Sequence, residues 1–258
     1  MKKQALITGA SQGIGYEFAK LFAADKYDLV LVARDEARLG EVARELGRLY
    51  GVKAKVLSKD LALPGAAREI FDELEREEIN VSALVNNAGF GVQGAFVEVA
   101  LERHRALMEV NMNALVELTR LFLPQMLAQG EGRILNVAST AAFQPGPFAA
   151  LYYASKAFVY SFSCALAEEL TGSGVTVTTL CPGMTRSQFH ARAGLKRADG
   201  LLMMDADAVA KIGYRALMRG KPIVIAGWLN KVGASVAKAL PTPWTAKVAG
   251  RLNSAVRK

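Results

Sequence analysis

Apolar runs of strand length recur along this chain, separated by stretches in which apolar residues return every three or four positions. The runs are Ala5-Leu6-Ile7, Asp28 to Ala33, Lys53 to Leu57, Val81 to Val85, Gly132 to Val137, Gly174 to Leu180 and Pro222 to Ile225. Most are continuous rather than alternating, as in strands covered on both faces. Between them, helical spacing covers Tyr16 to Phe22, Arg38 to Leu49, Ala66 to Ile79, Leu101 to Leu127, Leu151 to Leu170 and Ala206 to Met218. Asp35 stands where the second helix needs an N-cap. Pro124 is expected to kink the fourth helix near its end. Strand and helix alternate from start to finish. That order predicts an α/β fold, a doubly wound parallel sheet of about seven strands with helices on both faces. No Pro-, Gly- or Ser-rich linker divides the 258 residues. Residues 1–258 therefore read as one domain, with 226–258 a basic helical extension that Pro241 and Pro243 split into two short helices.

Ligands of such sheets sit beyond the C-terminal strand ends. The glycines and polar residues of this chain gather there. Gly9 to Gly15 follow the first strand, Arg34 the second, Asp60 the third, Asn87 the fourth, Ser139 the fifth and Pro182-Gly183 the sixth. Thr8-Gly9-Ala10-Ser11-Gln12-Gly13-Ile14-Gly15 reads as strand, glycine turn and helix start. Unpaired N–H groups and a partial positive charge at a helix N-terminus suit a phosphate. Gly9 serves the tight turn, Gly13 a close approach to a pyrophosphate, and Gly15 the packing of helix on sheet. The same spacing occurs in ordinary strand-to-helix turns. Six strand ends converging on one crevice is the stronger signal.

Composition narrows the picture. The chain is 52% hydrophobic, enough for a large core. Its two cysteines, Cys164 and Cys181, read as small buried residues in a reducing, cytoplasmic setting. The glycine turn interrupts the apolar stretch after Lys2-Lys3, against a signal peptide. Two distant histidines, His104 and His190, and no paired cysteines predict no metal site. The net charge is +8, and residues 228–258 supply six of those charges with no Asp or Glu. The remainder is close to neutral, which argues against a general nucleic-acid binder.

Tyr152-Tyr153-Ala154-Ser155-Lys156 carries the candidate chemistry. Residues three and four apart share a helix face, so Lys156 reaches either tyrosine. An ammonium beside a phenol lowers the phenol pKa from about 10 and fits it for acid–base work. Ser139 is placed to hydrogen-bond the same substrate oxygen. An isolated Y-x-x-x-K is more often a surface aromatic beside a solvated lysine.

The combination of Thr8-Gly9-x-x-x-Gly13-x-Gly15, Asn86-Asn87-Ala88-Gly89, Asn111, Ser139, Tyr152-x-x-x-Lys156 and Pro182-Gly183 resembles the short-chain dehydrogenase/reductase family, over residues 1 to about 225. The resemblance implies a Rossmann fold and hydride transfer between nicotinamide and a carbonyl or secondary alcohol. It implies Tyr152 as general acid, Lys156 as the group that lowers its pKa and binds the nicotinamide ribose, and Ser139 as the group that polarises the carbonyl. Asn111 would hold a water in a proton relay by kinking the long helix. The family's four-residue spacing selects Tyr152 over Tyr153. The implied cofactor contacts are Gly9, Ser11, Gln12, Gly13, Ile14, Gly15, Arg34, Asp60, Leu61, Asn87, Ala88, Gly89, Tyr152, Lys156, Pro182, Gly183 and Thr185. Family members assemble as dimers or tetramers, here through helices near 101–127 and 151–170. A non-catalytic NADP(H) sensor or scaffold is the alternative.

An acidic residue at the end of the second strand suits the ribose diol of NAD, and an arginine suits a 2′-phosphate. Here Ala33 is uncharged and Arg34 follows, which favours NADP(H) over NAD(H). Gln12 departs from the basic loop residue of many NADP-dependent members. On the substrate side, Phe143, Phe148, Met184 and Phe189 are expected to wall the pocket, and the apolar lid segment Met184 to Met204 points to an apolar ketone, 3-oxoacyl or steroid-like substrate. Arg186, Arg192, Lys196 and Arg197 in that segment read as a solvated face or as partners of an anionic handle. The basic tail with Trp228 and Trp244 has three readings: peripheral contact with an anionic membrane, cover for a neighbouring subunit, or cover for the substrate entrance.

Overall fold

A computed structural model describes residues 2–186 and 203–255. The first half runs β1 (Gln4–Thr8), α1 (Gly13–Ala24), β2 (Asp28–Ala33), α2 (Glu36–Tyr50), β3 (Ala54–Ser58), α3 (Ala66–Arg76) and β4 (Ala83–Asn86). It continues with α4 (Leu101–Met108), α5 (Ala114–Gln129), β5 (Gly132–Val137), α6 (Ala150–Glu169) and β6 (Val175–Cys181). A short pair, β7 (Thr185–Arg186) and β8 (Met204–Asp205), precedes α7 (Ala206–Met218), β9 (Ile223–Ile225), α8 (Trp228–Ala239) and α9 (Thr242–Ala255). Seven strands form one parallel sheet in the order β3-β2-β1-β4-β5-β6-β9. The expected doubly wound α/β architecture is what the chain adopts.

Side-chain alternation on β1 shows why helices cover both faces. Ala5 and Ile7 join one core with Phe18 and Phe22 of α1, Leu39 and Leu46 of α2 and Leu217 of α7. Leu6 between them joins the other core, with Ile70 of α3, Phe122 of α5 and Leu170 after α6. Both sides are therefore apolar, which is why the strands read as continuous runs. A buried polar ladder ties the middle of the sheet to two helices. Asn86 donates to Thr119 Oγ1 (3.1 Å) and to Asn136 Oδ1 (2.9 Å), and Asn136 donates to Ser163 Oγ (2.9 Å). The low dielectric strengthens each bond and penalises any unpaired member.

Asp35 caps α2 as expected, its Oδ1 accepting from the Arg38 N–H at 3.0 Å. The helix from Ala66 ends at Arg76 rather than Ile79, because Glu78 turns to φ 55° and the chain reverses there. The long helix of residues 101–127 is interrupted at Glu109–Asn113 by a π-turn, around Asn111. Pro124, where the kink was expected, lies inside a helix that runs on to Gln129. In the tail, Leu240 and Pro241 separate α8 from α9, and Pro243 sits in the first turn of α9, where a missing N–H costs nothing.

Candidate active site

The sheet order reverses beside β1, where β2 lies on one side and β4 on the other. A cleft of about 1060 Å³ opens there, at the C-terminal strand ends. It extends from Arg34, Lys59 and Asp60 past the glycine turn to Ser139, Tyr152 and Lys156.

The glycine turn is locked from below. Thr8 Oγ1 accepts from the N–H groups of Asn87 (3.0 Å) and Ala88 (2.9 Å), and Asn87 Nδ2 returns a bond to Thr8 O at 2.9 Å. The β1 turn and the β4 end thus hold each other. Gly9 and Gly13 take φ of 68° and 57°, which a side chain resists. The α1 N-terminus has no side-chain cap, and its first residues, Gly13 and Ile14, line the cleft. Gly15 packs rather than lines: a Cβ there would collide with Gly9 O and approach Asn87 Nδ2 at 2.5 Å. The first obstacle is backbone and cannot swing aside. Gly15→Ala is expected to destabilise the fold by about 1–3 kcal/mol, read as a drop of several degrees in Tm. An unchanged Tm would contradict this packing account.

Of the expected cofactor contacts, all but Gly15 line the cleft, and so does Met184. At the end of the cleft away from Tyr152 and Lys156, the Arg34 side chain is 66% exposed and its guanidinium is 3.8 Å from Asp60. Lys59, which sequence reasoning passed over, lines the same end and pairs with Glu69 at 2.7 Å. Arg38 was also passed over; its Nε donates to Ser11 O at 3.3 Å and ties α2 to the glycine turn.

At the other end, α6 delivers Tyr152 and Lys156. Lys156 is 5% exposed, and its ammonium donates to Val137 O at 2.8 Å, 6.0 Å from the Tyr152 ring centre. Tyr152 shares a hydrogen bond with Ser139. Ser139 starts a short 3-10 turn (Thr140–Phe143) and also accepts from the Ala141 N–H at 3.1 Å. Burial drives both ionisable groups towards neutrality. The Tyr152 phenol is pushed up to about 12 and the Lys156 ammonium down to about 8. The lowered phenol pKa expected from lysine adjacency is therefore not realised in this state, because desolvation outweighs every other influence on Tyr152.

Asn111 sits below the cleft rather than in its wall. It is 1% exposed, and its amide grips the Phe90 backbone at both ends, accepting from N and donating to O at 3.0 Å each. It also donates to Ser155 Oγ at 3.1 Å, which in turn donates to Tyr152 O at 2.7 Å. The π-turn thus positions α6 against the segment after Gly89.

Two expected pocket walls lie elsewhere. Phe143 turns back from the 3-10 turn onto Tyr160, centre to centre 5.0 Å, and Lys238 of α8 lies 4.5 Å over its ring. Phe148, at φ 65°, lines a separate small cavity with Phe96 and His104. Phe189 falls outside the described residues. The substrate end is instead lined by Phe90, Val92, Ala106, Val110, Met184 and Leu252, with Gln93, Arg103, Gln144 and Asn253 as polar members. Tyr153 also lines it. Its ring fills the space left by Gly146, and its hydroxyl lies 3.4 Å from Asn253 Oδ1 of α9. Asn253 Nδ2 donates to Pro147 O at 2.9 Å. The tail therefore closes one side of the substrate end, one of the three readings offered for it.

A doubly wound sheet with a glycine turn, positive in φ at Gly9 and Gly13, and a tyrosine–lysine pair in one cleft defines a dinucleotide-dependent α/β oxidoreductase. More particularly, the chain belongs to the short chain dehydrogenase family, whose model matches residues 3–198. It is 33% identical over 249 residues to the ketoacyl reductase HetN of a Nostoc species, covering 93% of this chain and 86% of that protein. Among solved structures it resembles a short-chain dehydrogenase from Sphingobium yanoikuyae in complex with NADPH, at 32% identity and TM-score 0.83, covering 93% and 96% of the two chains. It also resembles a short-chain dehydrogenase/reductase from Burkholderia phymatum in complex with NAD, at 25% identity and TM-score 0.80, covering 91% and 92%. The protein is thus an oxidoreductase acting on carbonyl or alcohol groups with a nicotinamide cofactor.

Proposed function

We propose that the protein is an NADP(H)-dependent carbonyl reductase whose substrate is an apolar ketone or 3-oxoacyl derivative. The observation that carries this is the grouping of Ser139, Tyr152 and buried Lys156 in the same cleft as the glycine cradle. A Cβ on Gly9 would come within 2.8 Å of Asn87 Nδ2. The uncapped start of α1, with Gly9, Gly13 and Ile14 lining the cleft, suits a pyrophosphate, and Arg34 and Lys59 at the far end suit a 2′-phosphate. The bound cofactor supplies the hydride. The chain's residues supply the proton and the orientation. Tyr152 donates its hydroxyl proton to the carbonyl oxygen, and the Ser139 hydroxyl holds that oxygen. The Lys156 ammonium and Ser139 stabilise the phenolate left behind, and Asn111 acts as a positioning residue for the helix that carries both. Met184, Phe90 and Val110 favour an apolar body, and Arg103 at the rim favours an anionic end on the substrate. The half-exposed Phe158 on α6 and Leu127 on α5 mark the faces for assembly as a homodimer or homotetramer.

The pH dependence follows from Lys156. Tyr152 keeps its proton throughout the working range, since burial holds it near 12. Lys156 loses its charge above about 8. In reduction, kcat/KM is expected to be flat below pH 8 and to fall about tenfold per unit above it. Stability moves the other way. The folded Lys156 binds fewer protons than the unfolded one between about 8 and its ordinary 10.5, so this group's contribution rises with pH across that window. A pH–rate profile flat to pH 10 would contradict the assignment. Turnover of NADPH with a 3-oxoacyl thioester is the direct test of the function.

A further inference from the structure

Each of the two tail helices leaves an apolar stripe uncovered. Trp228, Val232 and Val236 on α8, and Trp244, Val248 and Leu252 on α9, are spaced by four and exposed. Trp228 is 72% and Trp244 65% exposed. The opposite sides are spent on the protein, with Ala234, Thr245 and Ala249 buried. Indoles and valines open to solvent along each helix mark an interaction surface.

Charge decides the occupant. Residues 228–258 carry six basic residues and no Asp or Glu. Lys238 is committed to the Phe143 and Tyr160 rings. Lys231, Lys247 and Arg251 remain exposed beside the stripes. Pairing this face with a second copy about a two-fold axis sets cations against cations. An anionic lipid surface satisfies both the cations and the apolar stripes, and indoles favour the lipid–water boundary. Among the described residues no helix is long and apolar enough to cross a membrane, so the contact is peripheral. Leu252 joins this face to the chemistry, being exposed on the α9 stripe and also a lining residue of the cleft.

We propose that α8 and α9 seat the protein on an anionic membrane surface with the cleft mouth towards the lipid, so that a lipophilic carbonyl enters from the bilayer. The substrate half rests on the carbonyl-reductase reading; the docking half does not.

The test is co-sedimentation of the full chain with phosphatidylglycerol-containing vesicles and with neutral phosphatidylcholine vesicles. The full chain is expected to bind the anionic vesicles at low salt and to be released at about 1 M, where charges are screened within a few ångström. Lys247→Gln with Arg251→Gln is expected to weaken partitioning on the order of 30-fold. Trp228→Gln with Trp244→Gln is expected to weaken it as well. Both pairs should bind NADPH like the parent, because none of the four residues lines the cleft. Absence of binding to anionic vesicles, or equal binding to neutral ones, would overturn the proposal. So would a dimer in ultracentrifugation that the tryptophan pair abolishes, which would assign the face to a second copy. Vesicle binding without NADPH turnover would strike the reductase reading and leave the docking surface standing.

Discussion

Tyr152→Phe is expected to lower kcat for carbonyl reduction by on the order of 1000-fold, the scale of a positioned general acid, while NADPH binds as it does to the parent. The change removes one hydroxyl and keeps a ring whose edge-on contact with Tyr153, 6.0 Å between centres, remains available. What is lost is the proton that meets the carbonyl oxygen and the hydrogen bond shared with Ser139. Tyr153→Phe is the control. Its hydroxyl faces Asn253 rather than Ser139, so a change of less than about tenfold is expected, concentrated in KM. Initial rates of NADPH oxidation and a fluorescence titration separate the two effects. If Tyr153→Phe abolished turnover and Tyr152→Phe did not, the four-residue spacing to Lys156 would have selected the wrong tyrosine.

Arg34→Glu is expected to shift the ratio of NADPH to NADH affinity by on the order of 100-fold towards NADH. A charge-assisted bond to phosphate contributes about 1.5–3 kcal/mol, and the introduced carboxylate adds repulsion of the 2′-phosphate while offering the ribose diol an acceptor. The fold should be indifferent. Arg34 and Asp60 are both exposed and 3.8 Å apart, and exposed pairs of that kind contribute about 0–1 kcal/mol. Dissociation constants for both cofactors, with a melting curve for the variant, test this. An unchanged ratio would place 2′-phosphate recognition elsewhere, with Lys59 the next candidate at that end of the cleft.

Much of the fold was legible because the sheet is covered on both faces. Buried strands then appear as unbroken apolar runs, and β2, β5 and α7 begin and end where periodicity places them. The strand-end motifs were legible for a related reason: each polar residue follows directly on an apolar run, so its place at the crevice comes from chain order alone. Other features depend on contacts between distant parts of the chain. Phe143 follows Ser139 closely and so reads as pocket wall, yet the 3-10 turn sends it to Tyr160 and under Lys238, about a hundred residues later. Leu252 and Asn253 line the substrate end from the tail and have no local signature. The break in the long helix falls at Asn111, as the family resemblance implied, while Pro124 lies inside a helix that continues to Gln129; what the sequence did not show is that the Asn111 side chain bonds Phe90 and Ser155. Sequence adjacency also misjudged the Tyr152 ionisation. It records that a lysine is near, and says nothing of the burial that outweighs it.

The measurement that bears most directly on the central claim is NADPH oxidation by the parent protein, with NADH in parallel, against apolar ketones and 3-oxoacyl thioesters of increasing chain length. Turnover with NADPH, at least about tenfold above NADH and rising with apolar length, is the predicted result. Tight NADPH binding with no turnover across that series would contradict a reductase and support a cofactor-binding sensor, and turnover confined to NADH would contradict the role given to Arg34.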